Sequence, residues 1–178
     1  NEIDIAWKET EKEKKIIADE KSEKKDIYMP YHLPKEDSSL EQKELRFIDA
    51  ISDGLKEGMR KHDNLIIMGQ DIAEYGGVFK VTEGFLDKFG KSRVRNTPIT
   101  ESAIIGTAMG LAIEGYKPIV EMQFADFVSV GFNQIVNNLA KTYYRWKQPV
   151  NVTLRLPTGG GIGAGPFHSQ SNEAWFFH

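Results

Sequence analysis

A carboxylate stands at the start of the most uniformly apolar helical segment of the sequence. Glu101 precedes a run of mostly small and apolar residues, 102–111. An acid in the first turn of a helix interacts favourably with the helix dipole, so Glu101 alone is compatible with an ordinary helix start. Gly106 and Gly110 follow four residues apart and therefore share one helix face. A face without side chains predicts close approach by another helix, either for tight packing or for a shared site.

A glycine-rich loop and a histidine form the second candidate for chemistry. Residues 159–164 match G-x-G-x-x-A after a predicted strand, which is half of a dinucleotide-binding fingerprint. Pro166 lies where the required helix should run, and no Gly-Lys-Ser/Thr follows, so neither a dinucleotide site nor a Walker A loop is predicted. We interpret the segment as a flexible loop that lets backbone approach closely. His168 follows it, and its residue type alone fits a structural role or a proton donor.

Composition excludes several classes of protein. The 178 residues carry 23 basic and 26 acidic side chains, a net charge of −3, which gives no electrostatic reason to expect nucleic-acid or anionic-membrane binding. The absence of cysteine excludes disulfides, zinc–thiolate and iron–sulfur sites and a cysteine nucleophile. The longest nearly apolar stretch, Ala103 to Ile113, is much shorter than the ~20 residues that span a bilayer. We therefore expect neither nucleic acid nor membrane as a partner.

The chain divides into two unequal parts. Residues 1–37 contain a run of Lys and Glu from Lys8 to Lys25, which cannot bury enough apolar surface to fold alone. We expect this part to be a charged linker or tail, with a specific binding arm as the alternative. Residues 38–178 have the pattern of one folded domain. The first residue, Asn1, is not methionine, so we expect a piece of a longer polypeptide.

Helices and short apolar strands alternate through residues 38–178, which predicts an α/β three-layer sandwich with a mostly parallel sheet. The sequence ends where another strand is expected, so we predict a domain truncated at its C-terminal end. The first predicted helix opens at the capping pairs Ser38/Glu41 and Ser39/Gln42 and continues along the apolar stripe Leu45, Ile48, Ile51, Leu55 and Met59. The predicted strands are 65–68, 119–124 and 150–156, with a short extended piece at Val94. The other predicted helices are 82–89, 101–114 and 127–146, and one more helix begins at 171–178.

The spacing Glu101–Gly106–Gly110 resembles the pyrimidine-binding domain of thiamin-diphosphate enzymes. The surrounding sequence is similar to the β chain of the decarboxylating component of 2-oxo acid dehydrogenases, over about residues 45–178. Thr107 departs from the pattern, in which a more apolar residue often follows the first glycine. The matching segments are Met68-Gly-Gln-Asp-Ile-Ala-Glu-Tyr-Gly-Gly-Val-Phe79, Gln123-Phe-Ala-Asp-Phe127, Asn133-Gln-Ile-Val-Asn137 and Phe167-His-Ser-Gln-Ser171.

The resemblance implies roles for five residues. Glu101 would bond to ring nitrogen N1′ of the aminopyrimidine and so assist removal of the thiazolium proton. Ile99 and Phe127 would form an apolar wall beside that carboxyl group. Gln123 and Phe127 would line the edge and the face of the pyrimidine. His168 would donate a proton or a hydrogen bond to the substrate carbonyl. The expected catalytic residues are thus Glu101 and His168, and the expected cofactor-binding residues are Ile99, Glu101, Gln123 and Phe127.

The resemblance also implies partners. In this family a Gly-Asp-Gly segment on a separate domain holds the diphosphate and its magnesium, whereas Ser52-Asp53-Gly54 stands here inside a predicted helix. We expect no metal ligands in this chain, and the missing half of the site on an α chain or a fused α half. The whole would be a dimer or heterotetramer that acylates the lipoyl group of an acyltransferase component. We expect a cytoplasmic location of bacterial type, with the mitochondrial matrix left open.

Alternatives remain at the level of the sequence. Residues 123–127 favour branched-chain 2-oxoisovalerate members, whereas residues 140–144 are more similar to the pyruvate members. Another thiamin enzyme, of transketolase or deoxyxylulose-phosphate synthase type, shares the Glu101 motif but fits residues 167–171 less well. A non-catalytic subunit-interaction module is the alternative from a different class, in which Glu101 and the glycine face serve packing alone.

Overall fold

The computed structural model describes residues 1–33, 35 and 43–177. Within these residues a parallel sheet of four strands forms in the order β2-β1-β3-β4. Ile67 in the central strand pairs with Val94 on one side and Ile119 on the other. The strands are β1 Leu65–Gly69, β2 Val94–Asn96, β3 Lys117–Glu121 and β4 Thr153–Arg155.

Helices and turns connect these strands. The α-helices are α1 Glu2–Thr10, α2 Glu20–Ile27, α3 Phe47–Lys61, α4 Phe85–Phe89, α5 Glu101–Ile113, α6 Val128–Asn133 and α7 Ala140–Trp146. A π-helix, Gln134–Leu139, joins α6 to α7, and 3-10 turns form at Ala125–Phe127, Gly160–Ile162 and Glu173–Phe176. The predicted helix 127–146 therefore forms, with a wider π segment at its middle.

Two apolar clusters cover the two faces of the sheet. Side chains alternate between faces along a strand, so neighbouring residues of β1 pack on opposite sides. Ile67 packs with Met59 of α3 and Phe85 of α4. Met68 packs with Ile104 of α5 and with Val120 of β3. The sheet thus lies between two helical layers, which confirms the predicted three-layer α/β fold with a parallel sheet.

Several predicted boundaries are wrong. Helix α3 begins at Phe47 rather than at the capping pairs, which lie outside the described residues, and Leu45 precedes it. Arg46, at the N-cap position, makes no capping hydrogen bond with its side chain. Its Nε and Nη2 instead donate to the Asp49 carboxylate at 2.7 and 2.9 Å, and these hydrogen bonds lower the pKa of Asp49. Strands β3 and β4 are shorter than predicted, because β3 ends at Glu121 and β4 covers only Thr153–Arg155, with irregular backbone beyond these residues.

Two predicted helices are also corrected. The helix predicted over 82–89 is confined to α4, because Gly84 adopts φ +72° and breaks the helical path. The helix predicted to begin at 171–178 is the short 3-10 turn Glu173–Phe176, whose first donor, Trp175 N, bonds to Asn172 O in an i→i+3 pattern.

The first segment of the chain contains helices α1 and α2. Their described side chains are exposed or, at Ile27, half-buried, and α2 contacts α7. The predicted boundary between residues 37 and 38 lies outside the described residues, so this division stays a prediction. Among the described helices, none combines the length and apolar character needed to cross a bilayer.

Candidate functional site

The predicted site residues gather at the carboxyl edge of the sheet. Gln70 and Asp71 follow β1 directly, Gln123 follows β3 by two residues, and α5 begins with Glu101. The strands are parallel and Gly69 pairs with Glu121, so the chain leaves β1 and β3 at the same level. In open parallel sheets this edge is where ligands bind.

Glu101 is a buried carboxylate at the start of α5. Its side chain is 7% exposed, and its Oε1 accepts a hydrogen bond from Gln70 Nε2 at 3.4 Å. Gln70 itself is 5% exposed. The sequence interpretation assigned no role to Gln70, although its place directly after a buried strand, within the segment 68–79, was a usable signal. A buried carboxylate held by one long hydrogen bond within the described residues has capacity to accept from a further donor.

Ile99 lies two residues before Glu101 and is largely exposed. Its side chain is 79% exposed. Exposure of this size leaves apolar surface of Ile99 uncovered within the chain, and the expectation that it borders the carboxylate stays a prediction. The physical reason for its exposure is its place in the loop between β2 and α5, outside the core clusters. Contact of Ile99 with a cofactor or a second domain stays a prediction.

Phe127 and His168 lie together in an aromatic cluster, although 41 positions separate them in the sequence. The centroid of the His168 ring is 5.4 Å from that of Phe127 and 4.9 Å from that of Phe124, with near-perpendicular ring planes. Phe124 also packs edge-on against Phe79, at 5.8 Å. Such edge-to-face pairs are the preferred geometry of aromatic rings. The structure therefore brings together two of the residues that the sequence marked for the site.

A pocket of about 230 Å³ opens beside His168. Aromatic and aliphatic side chains form much of its wall, with glycine backbone completing it: Phe79, Phe124, Pro157, Thr158, Gly159, Gly161, Ile162 and His168. The glycine loop thus lines a pocket, and the close backbone approach expected of it stays a prediction, since a Cβ atom at Gly159 or Gly161 would meet nothing within 4 Å. The 3-10 turn that it contains has three residues and starts no long helix.

Hydrogen bonds fix the loop that carries His168. The backbone N of Gln170 donates to Asp126 Oδ1 at 3.1 Å, and Asp126 is buried. Asn172 Nδ2 donates to the backbone O of Ala125 at 3.3 Å. Ala164 N donates to Ser169 Oγ at 2.8 Å. The segment that follows His168 is therefore held against the turn Ala125–Phe127, and the loop around His168 is closed by its own hydrogen bond.

Gln123 is half-buried and donates from Nε2 to Asp71 Oδ2 at 2.9 Å. Asp71 adopts φ +56°, a left-handed conformation that Asp tolerates better than most residues. The sequence interpretation missed Asp71, and no local pattern signals a contact over 52 positions.

A buried ion pair lies at the ends of β3 and β4. Arg155 Nε donates to Glu121 Oε2 at 2.8 Å, and the two residues are register partners in the sheet. Arg155 Nη2 lies 2.6 Å from the same oxygen, as an ion-pair contact whose geometry makes no second hydrogen bond. Glu121 is 3% exposed. This pair was also missed by the sequence interpretation, and it stabilises the edge of the sheet from which Gln123 departs.

The glycine face of α5 remains open along part of its length. A Cβ atom at Gly110 would meet nothing within 4 Å, whereas one at Gly106 would come 4.0 Å from Gln134 Oε1. Thr107, between them, is exposed. The face is open near Gly110, and close approach by a second helix there stays a prediction.

Comparison with known proteins gives a family match over most of the chain. Residues 43–178 match the family model described as the transketolase pyrimidine-binding domain. The pyruvate dehydrogenase E1 component subunit beta of Leifsonia xyli subsp. xyli is 45% identical over 136 residues, which are 75% of this chain and 40% of that protein.

Two further relatives extend the comparison. The 2-oxoisovalerate dehydrogenase subunit beta of Bacillus subtilis is 45% identical over 136 residues, 74% of this chain and 41% of that protein. A mitochondrial 2-oxoisovalerate dehydrogenase subunit beta of Dictyostelium discoideum is 42% identical over 141 residues, 78% of this chain and 38% of that protein. The chain spans about two fifths of the length of these curated relatives. Because the family model matches residues 43–178, which are more than half of the chain, the chain belongs to the transketolase pyrimidine-binding domain family.

Proposed function

We propose that this chain is the pyrimidine-binding half of a thiamin-diphosphate-dependent 2-oxo acid dehydrogenase, of the β-chain type. The observation that carries the proposal is the buried carboxylate of Glu101, held by Gln70 at the start of α5. The relatives named pyruvate dehydrogenase and 2-oxoisovalerate dehydrogenase subunits support it.

The residues of this chain fit one half of the cofactor. The chemistry supplied by bound thiamin diphosphate is nucleophilic attack on the carbonyl carbon of the 2-oxo acid and uptake of the electron pair released with CO₂. Glu101 would exchange a proton with ring nitrogen N1′ of the aminopyrimidine. Phe127 would pack against the ring face and Gln123 would hydrogen-bond its edge. His168, fixed between Phe124 and Phe127, would donate to the substrate carbonyl oxygen.

The other half of the cofactor site would come from a partner. Among the described residues, no group of three His, Asp or Glu side chains could hold a metal ion. Asp53 lies in helix α3 rather than in a loop. The diphosphate and its Mg²⁺ would therefore bind to an α chain or a fused α half. The open glycine face of α5 supports assembly through close helix contacts, in a dimer or heterotetramer that serves a lipoyl acyltransferase component.

The substrate would be a 2-oxo acid with a branched aliphatic side chain. The pocket beside His168 supports this choice, because Phe79, Phe124 and Ile162 present apolar surface to it. Burial of each additional methylene group contributes about 0.8 kcal/mol. The kcat/KM for 2-oxoisovalerate should therefore exceed that for pyruvate in the complete assembly, and the opposite ratio would exclude this substrate preference.

Glu101→Gln in the complete assembly tests the proposed function. Glutamine keeps the size of the side chain but cannot exchange a proton, so oxidative decarboxylation should fall by about 100-fold or more. Glu114→Gln is the matched control, since Glu114 is an exposed acid at the opposite end of the same helix. Gel filtration monitors assembly. Full activity of Glu101→Gln would instead support a non-catalytic interaction module.

A further inference from the structure

We propose that Asp71 is a positioning residue that fixes the orientation of the Gln123 side-chain amide for recognition of the aminopyrimidine ring. This inference rests on the proposed function, because it concerns the same cofactor site. It assigns a role in the cofactor site to Asp71 and explains why the residue at this position is acidic. The structural basis is the hydrogen bond from Gln123 Nε2 to Asp71 Oδ2 at 2.9 Å.

The chemistry of the two groups decides which way the amide faces. An ionised carboxylate only accepts hydrogen bonds, whereas the Gln123 amide has a donating and an accepting end. The Asp71 carboxylate therefore selects the orientation in which Nε2 faces it. This leaves the Gln123 oxygen Oε1 as the acceptor available to a ligand. An exocyclic amino group on a heterocycle is a donor, so the selected orientation complements an aminopyrimidine.

The backbone around Asp71 is built to hold this carboxylate in place. Asp71 and Gln123 each lie two residues beyond the last register pair of β1 and β3, Gly69 and Glu121. The Asp71 carbonyl accepts from Gly77 N at 2.8 Å. Gly76 permits this tight turn, since it has φ +80° and a Cβ there would lie 2.7 Å from Glu83 Cα. The left-handed φ of Asp71 is thus held by the loop that follows it.

Consecutive residues at the end of β1 therefore serve two different site residues. Gln70 donates to Glu101 on the α5 side, and Asp71 accepts from Gln123 on the β3 side. Gln70 is buried and Asp71 is exposed, in keeping with side chains that point in different directions. Asp71 belongs to none of the core clusters of the described residues, and its carboxylate accepts the hydrogen bond from Gln123 at this edge of the sheet.

A double-mutant cycle in the complete assembly tests the inference. The variants are Asp71→Gly, Gln123→Ala and their combination, with Glu74→Gln as the matched control. Glycine removes the acceptor and tolerates φ +56°, so the loop conformation is preserved. Glu74 is an exposed acid of the same loop that accepts from Asn96 Nδ2. The measurements are the Kd for thiamin diphosphate with Mg²⁺, by calorimetry, and the unfolding temperature of each variant.

We expect Asp71→Gly to raise the cofactor Kd by about 3- to 10-fold, in line with the loss of one hydrogen bond. In the Gln123→Ala background the same change should alter Kd by less than about twofold, because Asp71 acts through Gln123. Glu74→Gln should leave Kd unchanged. Should Asp71→Gly lower the unfolding temperature, Asp71→Asn repeats the test, since asparagine keeps the shape but can also donate and so no longer selects one amide orientation.

Two results would overturn the inference. One is an unchanged Kd for Asp71→Gly alone, and the other is an equal loss of affinity in both backgrounds. Either result leaves the proposed function standing as long as Glu101→Gln abolishes turnover. Failure of the assembly to bind thiamin diphosphate at all would overturn the proposed function as well as the inference.

Discussion

The amide nitrogen Nε2 of Gln70 lies 3.4 Å from Oε1 of Glu101, and both side chains are more than nine-tenths buried. This hydrogen bond joins the carboxyl end of β1 to the first turn of α5. Among the described residues, the donor to this carboxylate is a neutral amide rather than an arginine or lysine, so the hydrogen bond orients the carboxylate without pairing it with a cation. That arrangement suits a group that has to exchange a proton.

Gln70→Met should lower activity without unfolding the protein. Methionine has a similar length but cannot donate to Glu101, and loss of this long hydrogen bond should cost about 1 kcal/mol, or roughly fivefold in kcat/KM. Steady-state kinetics of the complete assembly provide the measurement. Gln148→Met is the control, because the Gln148 amide bonds to the carbonyl of Pro149. An unchanged kcat/KM for Gln70→Met would show that this hydrogen bond does not orient the carboxylate.

His168→Phe should separate the packing role of His168 from its chemical role. Phenylalanine preserves an aromatic ring against Phe124 and Phe127 but removes both ring nitrogens. We expect the unfolding temperature to be retained and kcat to fall by about 100-fold or more, the usual contribution of a positioned proton donor. His32→Phe, in the exposed first segment, should behave like the wild type. Normal turnover by His168→Phe would reduce His168 to a packing residue.

Arg155→Met should destabilise the fold strongly. Methionine leaves the 3% exposed carboxylate of Glu121 without its cation, and breaking a buried pair in this way costs about 3–5 kcal/mol. Chemical denaturation of the assembly measures the free energy of unfolding. The double variant Glu121→Leu/Arg155→Met should recover much of the loss, because it removes the unpaired charge. A single variant as stable as the wild type would mean that solvent reaches Glu121 freely.

Local sequence patterns were sufficient for the elements that carry the site. Short apolar runs predicted β1 and β3, a run of small and apolar residues predicted α5, and the alternation of such strands and helices along the chain predicted the layers that they form. The carboxylate of Glu101 and the four-residue spacing of Gly106 and Gly110 likewise lie within one short segment, so they are recognisable from the sequence alone. The family resemblance, confirmed by the match over residues 43–178, rests on the same local strings.

The pairings within the site were decided only by the tertiary structure. Gln70 meets Glu101 over 31 positions, and Asp71 meets Gln123 over 52. Both pairings join segments that are distant in the sequence, and the second also involves the left-handed conformation of Asp71, so neither has a local periodic signal. The exposure of Ile99 in this chain was likewise decided by the tertiary structure, because residue type and spacing alone do not show which side chains become buried. Residue type and spacing determine which elements form, whereas contact between side chains requires the sheet to assemble first, since only then do its carboxyl ends lie at one edge.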